Sequence, residues 1–257
     1  MLNKILFLAK GELKTKYHII YNNTEANIND TLVVTDYEVA LKDYSAKDFA
    51  VLFVSDSDEF IEGAKFIIDD LKNCDDEYLE IVFSRCKGLP VKIFETKRTF
   101  VREMTLDDLP ELYELYDDED VVKYVDALYE YEEEKEFTQK YIENMYGFYG
   151  YGLWLVFDSE TGTLIGRIGI SIRNLDGEEV RELGYVIKKE YRRKGYAIEV
   201  CKAAMEYAFE FPEIDKIYIV THSENMASIG VANKLGFEYI GESVGEKENF
   251  KIFVKST

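Results

Sequence analysis

Histidine and cysteine are scarce in this chain of 257 residues, which has two of the first and three of the second. His18 and His222 leave almost no material for a histidine-based metal site. Cys74, Cys86 and Cys201 are odd in number and show no Cys-x-x-Cys spacing, which argues against a disulfide frame or zinc site and for a reducing cytoplasm. No run of about 18 apolar residues occurs, so no membrane span is expected. The opening MLNKILFLAKGELK has a short apolar run but no h-region of normal length leading to a small-residue cleavage site, and does not read as a signal peptide. Basic residues are in deficit as well, 31 against 51 acidic, for a formal charge of −20. Such a chain repels phosphate backbones and anionic lipid, so neither nucleic acid nor a membrane surface is the expected partner. It would attract cations such as amines.

What is present is enough apolar mass, 47% of residues, for one large domain or two modest ones. The organisation changes near Gly88-Leu89-Pro90, a breaker cluster, and we expect a small α/β domain over 1–95 and a second domain over 96–257. In the first part, DTLVVTD (30–36) and FAVLFVS (49–55) read as buried strands. YEVALKDYS (37–45) between them has helical spacing, FIEGAKFIID leads to a strand or short helix, and Asp75 or Asp76 is placed to cap a helix over Glu77 to Lys87. Strand–helix–strand with short connections predicts a parallel layer.

In the second part, RTFVREM (98–104) alternates as a strand, Thr105 is a suitable N-cap, and two helical stretches follow to about Tyr146. YGLWLVFD (151–158) and TLIGRIGISIRN (163–174) flank a turn carrying Gly162 and predict a hairpin. RELGYVIKK (181–189) is a third strand and GYAIEVCKAAMEYAFEF (195–211) an amphipathic helix stopped by Pro212. A strand over 215–222, a helix over 225–236 and two closing strands complete the order. Residues 111–136 hold 12 acidic residues against two lysines, a solvated face or a lure for an amine.

The chemistry concentrates in ELGYVIKKEYRRKGYAIEV (182–200), where a strand ends, a turn offers Arg192, Arg193, Lys194, Gly195, Tyr196 and Ala197, and a helix begins. Backbone N–H groups in such a turn, with the positive end of the helix, suit a pyrophosphate. Gly195 allows close approach where a Cβ would collide. The plainer reading is a basic solvent-facing turn.

RRKGYA fits the R/Q-x-x-G-x-G/A signature of the GNAT acetyltransferases, and THSENMASIGVANKLGFEYIGE (221–242) resembles the family's later motif, in which an Asn opens a helix. The resemblance covers about residues 97–255, and ELGY with Asn-x-x-Ser is similar to the ribosomal-protein N-terminal acetyltransferase subgroup of RimJ and RimL type. It implies a central mixed, mainly antiparallel sheet flanked by helices, with acetyl-CoA as cosubstrate, no metal, and a small-molecule or peptide amine as acceptor. It also implies that the fourth strand of the fold splays from the fifth. On it, Tyr185, Val186 and Ile187 would grip the pantetheine by their strand edge, Arg192–Ala197 would hold the pyrophosphate, and Asn225 would contact the pantetheine arm. Glu182 is the candidate general base, through a water; the alternative is an edge-strand Glu paired with Arg181 or a neighbour. Ser228 is the candidate general acid, or else a helix-start serine bonded to backbone.

The chain departs from the family where many members carry an acidic Tyr, since Ala232 stands there, and Lys189 replaces the usual Pro. His222, at the end of a strand, is a base only by a minority reading. Trp154, Tyr185 and the tyrosines of YGFYGYG (146–152) are expected to fill core or cleft walls, and Glu199 to brace the turn. In the first domain, Asp56 and Asp58 follow a strand as in haloacid-dehalogenase-type phosphatases, but Phe60 stands where Thr or Val is expected. LVVTDYEVALKDYSAKDFAVLFVS resembles a truncated, dehalogenase-like segment, and its role is a scaffold, a dimer contact or an acceptor-side wall. The expected activity is acetyl transfer to a primary amine by direct attack on the thioester; the rival is a catalytically weak acyl-CoA-binding regulatory module.

Overall fold

The apolar runs TLVVT and AVLFV become strands buried along nearly their whole length, as strands covered on both faces must be. They belong to the first of two compact units, Met1–Val91 and Lys92–Thr257, in a computed structural model that describes residues 1–175, 177–244 and 249–257. In this unit β1 (Lys4–Leu8), β2 (His18–Ile20), β3 (Thr31–Thr35), β4 (Ala50–Val54) and β5 (Ile67–Ile68) form a parallel sheet in the order β2-β1-β3-β4-β5. Strand alternation then sorts the core. Leu32, Val34 and Leu52 meet Leu79, Val82 and Phe83 of helix α2 (Asp76–Cys86), while Val33, Val51 and Phe53 meet Leu41 of helix α1 (Glu38–Ser45). Asp75 caps α2, its Oδ1 accepting the Tyr78 amide at 2.7 Å, so the helix starts one residue before its expected first turn. Asp56 and Asp58 stand exposed in the loop after β4.

The second unit is an eight-stranded sheet flanked by helices, a mixed and mainly antiparallel architecture as expected. Its strands are β6 (Lys92–Glu95), β7 (Thr99–Arg102), β8 (Leu153–Asp158), β9 (Leu164–Leu175), β10 (Glu178–Ile187), β11 (Lys216–His222), β12 (Glu238–Val244) and β13 (Asn249–Ser256). They lie in the order β12-β13-β11-β10-β9-β8-β7-β6, and among the described residues only β10 and β11 run parallel. Helices α3 (Leu109–Tyr116), α4 (Glu119–Val122) and α5 (Tyr131–Tyr141) lie between β7 and β8, α6 (Tyr196–Ala208) between β10 and β11, and α7 (Met226–Lys234) between β11 and β12. Thr105 and Asp108 form a capping box ahead of α3.

The pattern does not announce β6, which pairs back onto β7. Their connecting turn is held from a distance: Glu199 of α6 accepts the Thr96 hydroxyl at 2.7 Å and the Arg98 amide at 3.0 Å, and its other oxygen takes Arg98 Nε at 2.8 Å. Burial alone would raise the Glu199 pKa, but these bonds outweigh it and hold the carboxylate below its usual range. Glu199→Ala is expected to destabilise this unit by about 2 kcal/mol, because one change strips several donors of their acceptor. Urea unfolding followed by the fluorescence of Trp154, the single and fully buried tryptophan of the chain, measures it.

The aromatic segment behaves in two ways. Tyr146, Tyr151 and Trp154 are fully buried, as expected for core, whereas Phe148 is 81% exposed. The helix widens over Ile142–Tyr149, and the Tyr146 hydroxyl donates to the Leu153 carbonyl while Tyr141 accepts the Leu153 amide. β9 and β10 pair over ten positions from Glu178↔Leu175 to Ile187↔Gly166. Gly169 has no substitute in this register, because a Cβ there would lie 1.8 Å from the Gly152 carbonyl oxygen.

Candidate active site

β10 is bonded to β9 along its full length but meets β11 at one position, Glu182↔Tyr218. Beyond Glu182 the two parallel strands separate. Leu183–Ile187 therefore keep β9 on one side and have no β11 partner on the other, with Val186 and Ile187 burying their side chains. A gap of this kind presents backbone N–H and C=O groups to a ligand as a strand edge would.

The chain leaves β10 through a short turn at Lys189–Tyr191 and then takes two left-handed residues, Arg193 at φ 58° and Gly195 at φ 88°, before α6 begins. The first helical bond past the turn joins the Glu199 amide to the Gly195 carbonyl at 3.1 Å, so the amides before it lie in the unsatisfied first turn. Alternating hands of backbone around such amides make an anion-binding concavity, and the helix dipole adds to it. Arg98 braces the turn from the β6–β7 connection: its Nη1 donates to the Lys194 carbonyl at 3.0 Å and its guanidinium lies 3.9 Å from the Tyr196 ring centroid.

The three expected cations divide. Arg192 points away from the concavity, with Nε on the Ile187 carbonyl at 2.8 Å and its two terminal nitrogens on Asp118 at 2.7 Å and Asp120 at 3.3 Å. Its side chain ties the α4 start to the end of β10, and its amide bonds the Lys189 carbonyl at 3.3 Å, so neither is left for the phosphate contact expected of Arg192. Arg193 and Lys194 are exposed beside the turn. Tyr196 and Ala197 open α6, the Tyr196 hydroxyl 3.3 Å from Asp158.

Glu182 lies at the point where the strands divide. It is no edge residue, being flanked by Ser171 and Tyr218, and its partner is Arg173 rather than Arg181: Arg173 Nη1 reaches the two carboxylate oxygens at 3.0 and 3.1 Å. Arg181 instead sits 6.0 Å from the Tyr151 ring. Burial pushes the Glu182 pKa up, opposed by Arg173 and by a hydrogen bond from the Val220 amide. A carboxylate so placed can accept a proton nearer neutral pH than an exposed one.

Across the gap, Asn225 caps α7 by accepting the Ser228 amide on Oδ1 at 3.1 Å, so its side-chain carbonyl is already engaged. Ser228 Oγ lies 3.1 Å from the Tyr185 hydroxyl. Tyr185 is expected here for its backbone and as a ring filling a core or cleft wall; the contact of its hydroxyl is one that the spacing of ELGY gives no means to place. Ala232 is fully buried. The His222 ring accepts the Glu224 amide on Nδ1 at 3.1 Å and lies against Tyr124 and Phe250, a structural role. Arg173 and Asp118 are partners that sequence reasoning missed. Arg173 becomes visible only from the β9–β10 register, in which it stands two residues from Ser171, the residue opposite Glu182.

A family model described as an acetyltransferase (GNAT) domain matches residues 98–238. The uncharacterized Bacillus subtilis protein YkkB is 32% identical over 125 residues, 49% of this chain and 72% of that one. The uncharacterized N-acetyltransferase YnaD of the same organism is 31% identical over 148 residues, 57% of this chain and 82% of that one. Among solved structures, a Salmonella typhimurium acetyltransferase that modifies the N-terminal serine of ribosomal protein L7/L12 superposes with a TM-score of 0.55 at 17% identity. The match covers 65% of this chain and 99% of that one, and is a likeness of fold.

Proposed function

The chain belongs to the GNAT family of acetyltransferases, and from that premise we propose that it transfers acetyl from acetyl-CoA to a primary amine by direct attack of the amine on the thioester. The observation that carries this reading is the single-position pairing of β10 with β11, followed at once by the left-handed turn into α6. An open strand edge and an anion-binding concavity thus lie in sequence along one path, which fits a ligand having an amide-bearing arm and a pyrophosphate. The edge at Tyr185–Ile187 would hold the arm by backbone bonds and offer an N–H to the thioester carbonyl, where charge develops. The amides of Arg193–Ala197 would hold the phosphates, with Arg193 and Lys194 supplying charge. The amide nitrogen of Asn225, left over from capping, would face the arm.

Glu182 would take the proton of the attacking amine through a water, and Ser228 would face the departing sulfur. A thiolate leaves readily, so the absence of a tyrosine at 232 need not stop the reaction. The strongly acidic segment 111–136 suits a cationic acceptor, small molecule or peptide terminus. We assign no chemistry to the first unit.

Calorimetric titration with acetyl-CoA, followed by a thiol-release screen over primary amines, tests the reading. Saturable binding with release on one amine class is the expected result. Binding without release on any amine would favour a regulatory acyl-CoA-binding module, and no binding would overturn the assignment of 182–200.

A further inference from the structure

The hydroxyl pair between Tyr185 and Ser228 joins the splayed half of β10 to the first turn of α7, at 3.1 Å across the gap between β10 and β11. Ser228 has two hydrogen-bond donors, and its amide is already committed to the Asn225 cap at 3.1 Å. Its hydroxyl has one proton to give. A phenol has one proton as well, so in a bonded pair only one of the two hydroxyls donates to the other. Tyr185 is the donor here. Burial, together with the neighbouring Cys201 thiol, raises the phenol's pKa, which keeps it protonated throughout the neutral range. The serine proton is then left for a third group, and a hydroxyl that accepts one bond becomes a better donor in the next.

We propose that Tyr185 is a positioning residue for the transfer step: by donating its hydroxyl to Ser228 Oγ across the gap, it directs the serine proton toward the sulfur of the bound cosubstrate. This rests on the acetyl-transfer reading. In the reaction the amine nitrogen bonds to the thioester carbon, the carbon–sulfur bond breaks with its electron pair passing to sulfur, and the amine proton goes to Glu182 and then to solvent. The serine keeps its proton and donates a hydrogen bond to the thiolate. No proton leaves Tyr185.

Three variants and two readouts decide it. Tyr185→Phe is expected to lower kcat about tenfold, the size of one such hydrogen bond, with KM for acetyl-CoA unchanged. Combined with Ser228→Ala it should be no worse than Ser228→Ala alone, because the phenol acts through the serine. Equal losses from Tyr185→Phe in both backgrounds, or no loss in either, would overturn the proposal. The second readout needs no turnover: the thiol of bound CoA, titrated by its ultraviolet thiolate absorbance, should ionise at higher pH in Tyr185→Phe than in the natural chain. That difference should disappear in the Ser228→Ala background. If the natural chain binds CoA but transfers no acetyl group, only the acetyl-transfer reading fails and the thiol titration still decides the role of Tyr185. If it does not bind CoA, both fall.

Discussion

Gly195→Val is expected to lower the affinity for acetyl-CoA about a hundredfold while the second unit stays folded. Gly195 has φ 88°, a conformation in which a side chain costs about 1–2 kcal/mol and a branched one more. Within the protein there is room for a Cβ, whose nearest neighbour would be Arg98 Nη2 at an ordinary 3.5 Å. The loss therefore falls on the ligand. Either the turn relaxes and the amides before the Glu199–Gly195 bond lose their common aim, or it holds and the side chain stands where a phosphate oxygen must come. Losing two charge-assisted hydrogen bonds at about 1.5 kcal/mol each, the lower end of their range, gives the hundredfold figure. Gly195→Asn separates the alternatives, since asparagine tolerates the left-handed region. If strain dominates, Asn should restore most of the binding that Val removes; if bulk dominates, it should restore little. Calorimetry with acetyl-CoA reads both variants, and an unchanged affinity in Gly195→Val would take the turn out of the binding site.

The parts of this fold that are legible in the sequence are those set by neighbouring residues. β3, β4, β8 and β9 show themselves because their apolar pattern is continuous or strictly alternating, and α6 because its apolar stripe runs from Ala197 to Ala208 before Pro212. β6 stays hidden because two half-buried residues between two exposed ones are no pattern in themselves; it exists through β7 and through a turn tied to Glu199, more than a hundred residues downstream of Thr96. The GNAT motif likewise marks Arg192–Ala197 by type and spacing, but not where each side chain turns. Arg192 answers to Asp118 and Asp120, which belong to the acidic segment that composition alone presents as a solvated face. Glu182 shows the same limit. Its candidacy is visible in ELGY, whereas its partner depends on the β9–β10 register, a property of two strands together. The Tyr185–Ser228 pair, 43 residues apart, depends on the splay itself.

Glu182→Gln should reduce turnover at least about a hundredfold with acetyl-CoA affinity nearly unchanged, the usual scale for a lost general base. A sharper result is expected from Arg173→Met, which keeps the base and removes its counter-charge. Burial already raises the Glu182 pKa, and Arg173 is the first of the groups that hold it down. Without the guanidinium the buried carboxylate loses the 3.0 and 3.1 Å bonds that favour its charged form, so its pKa must rise further. The sign follows from the role. A base works deprotonated, so turnover climbs with pH through its pKa; a raised pKa carries the acid limb of the pH–rate profile to higher pH. The displacement is toward higher pH, the direction in which a buried carboxylate moves on losing its counter-charge. The Arg173→Met chain would then lag the natural chain in acid and approach its turnover as the pH rises and both carboxylates ionise. With one acceptor used throughout, the amine's own titration is common to both profiles and cancels in their ratio. Glu182→Gln should lack this limb altogether. An acid limb in the same place with and without Arg173 would mean that another group takes the proton, and that Glu182 and Arg173 are a structural pair closing the point where β10 and β11 part.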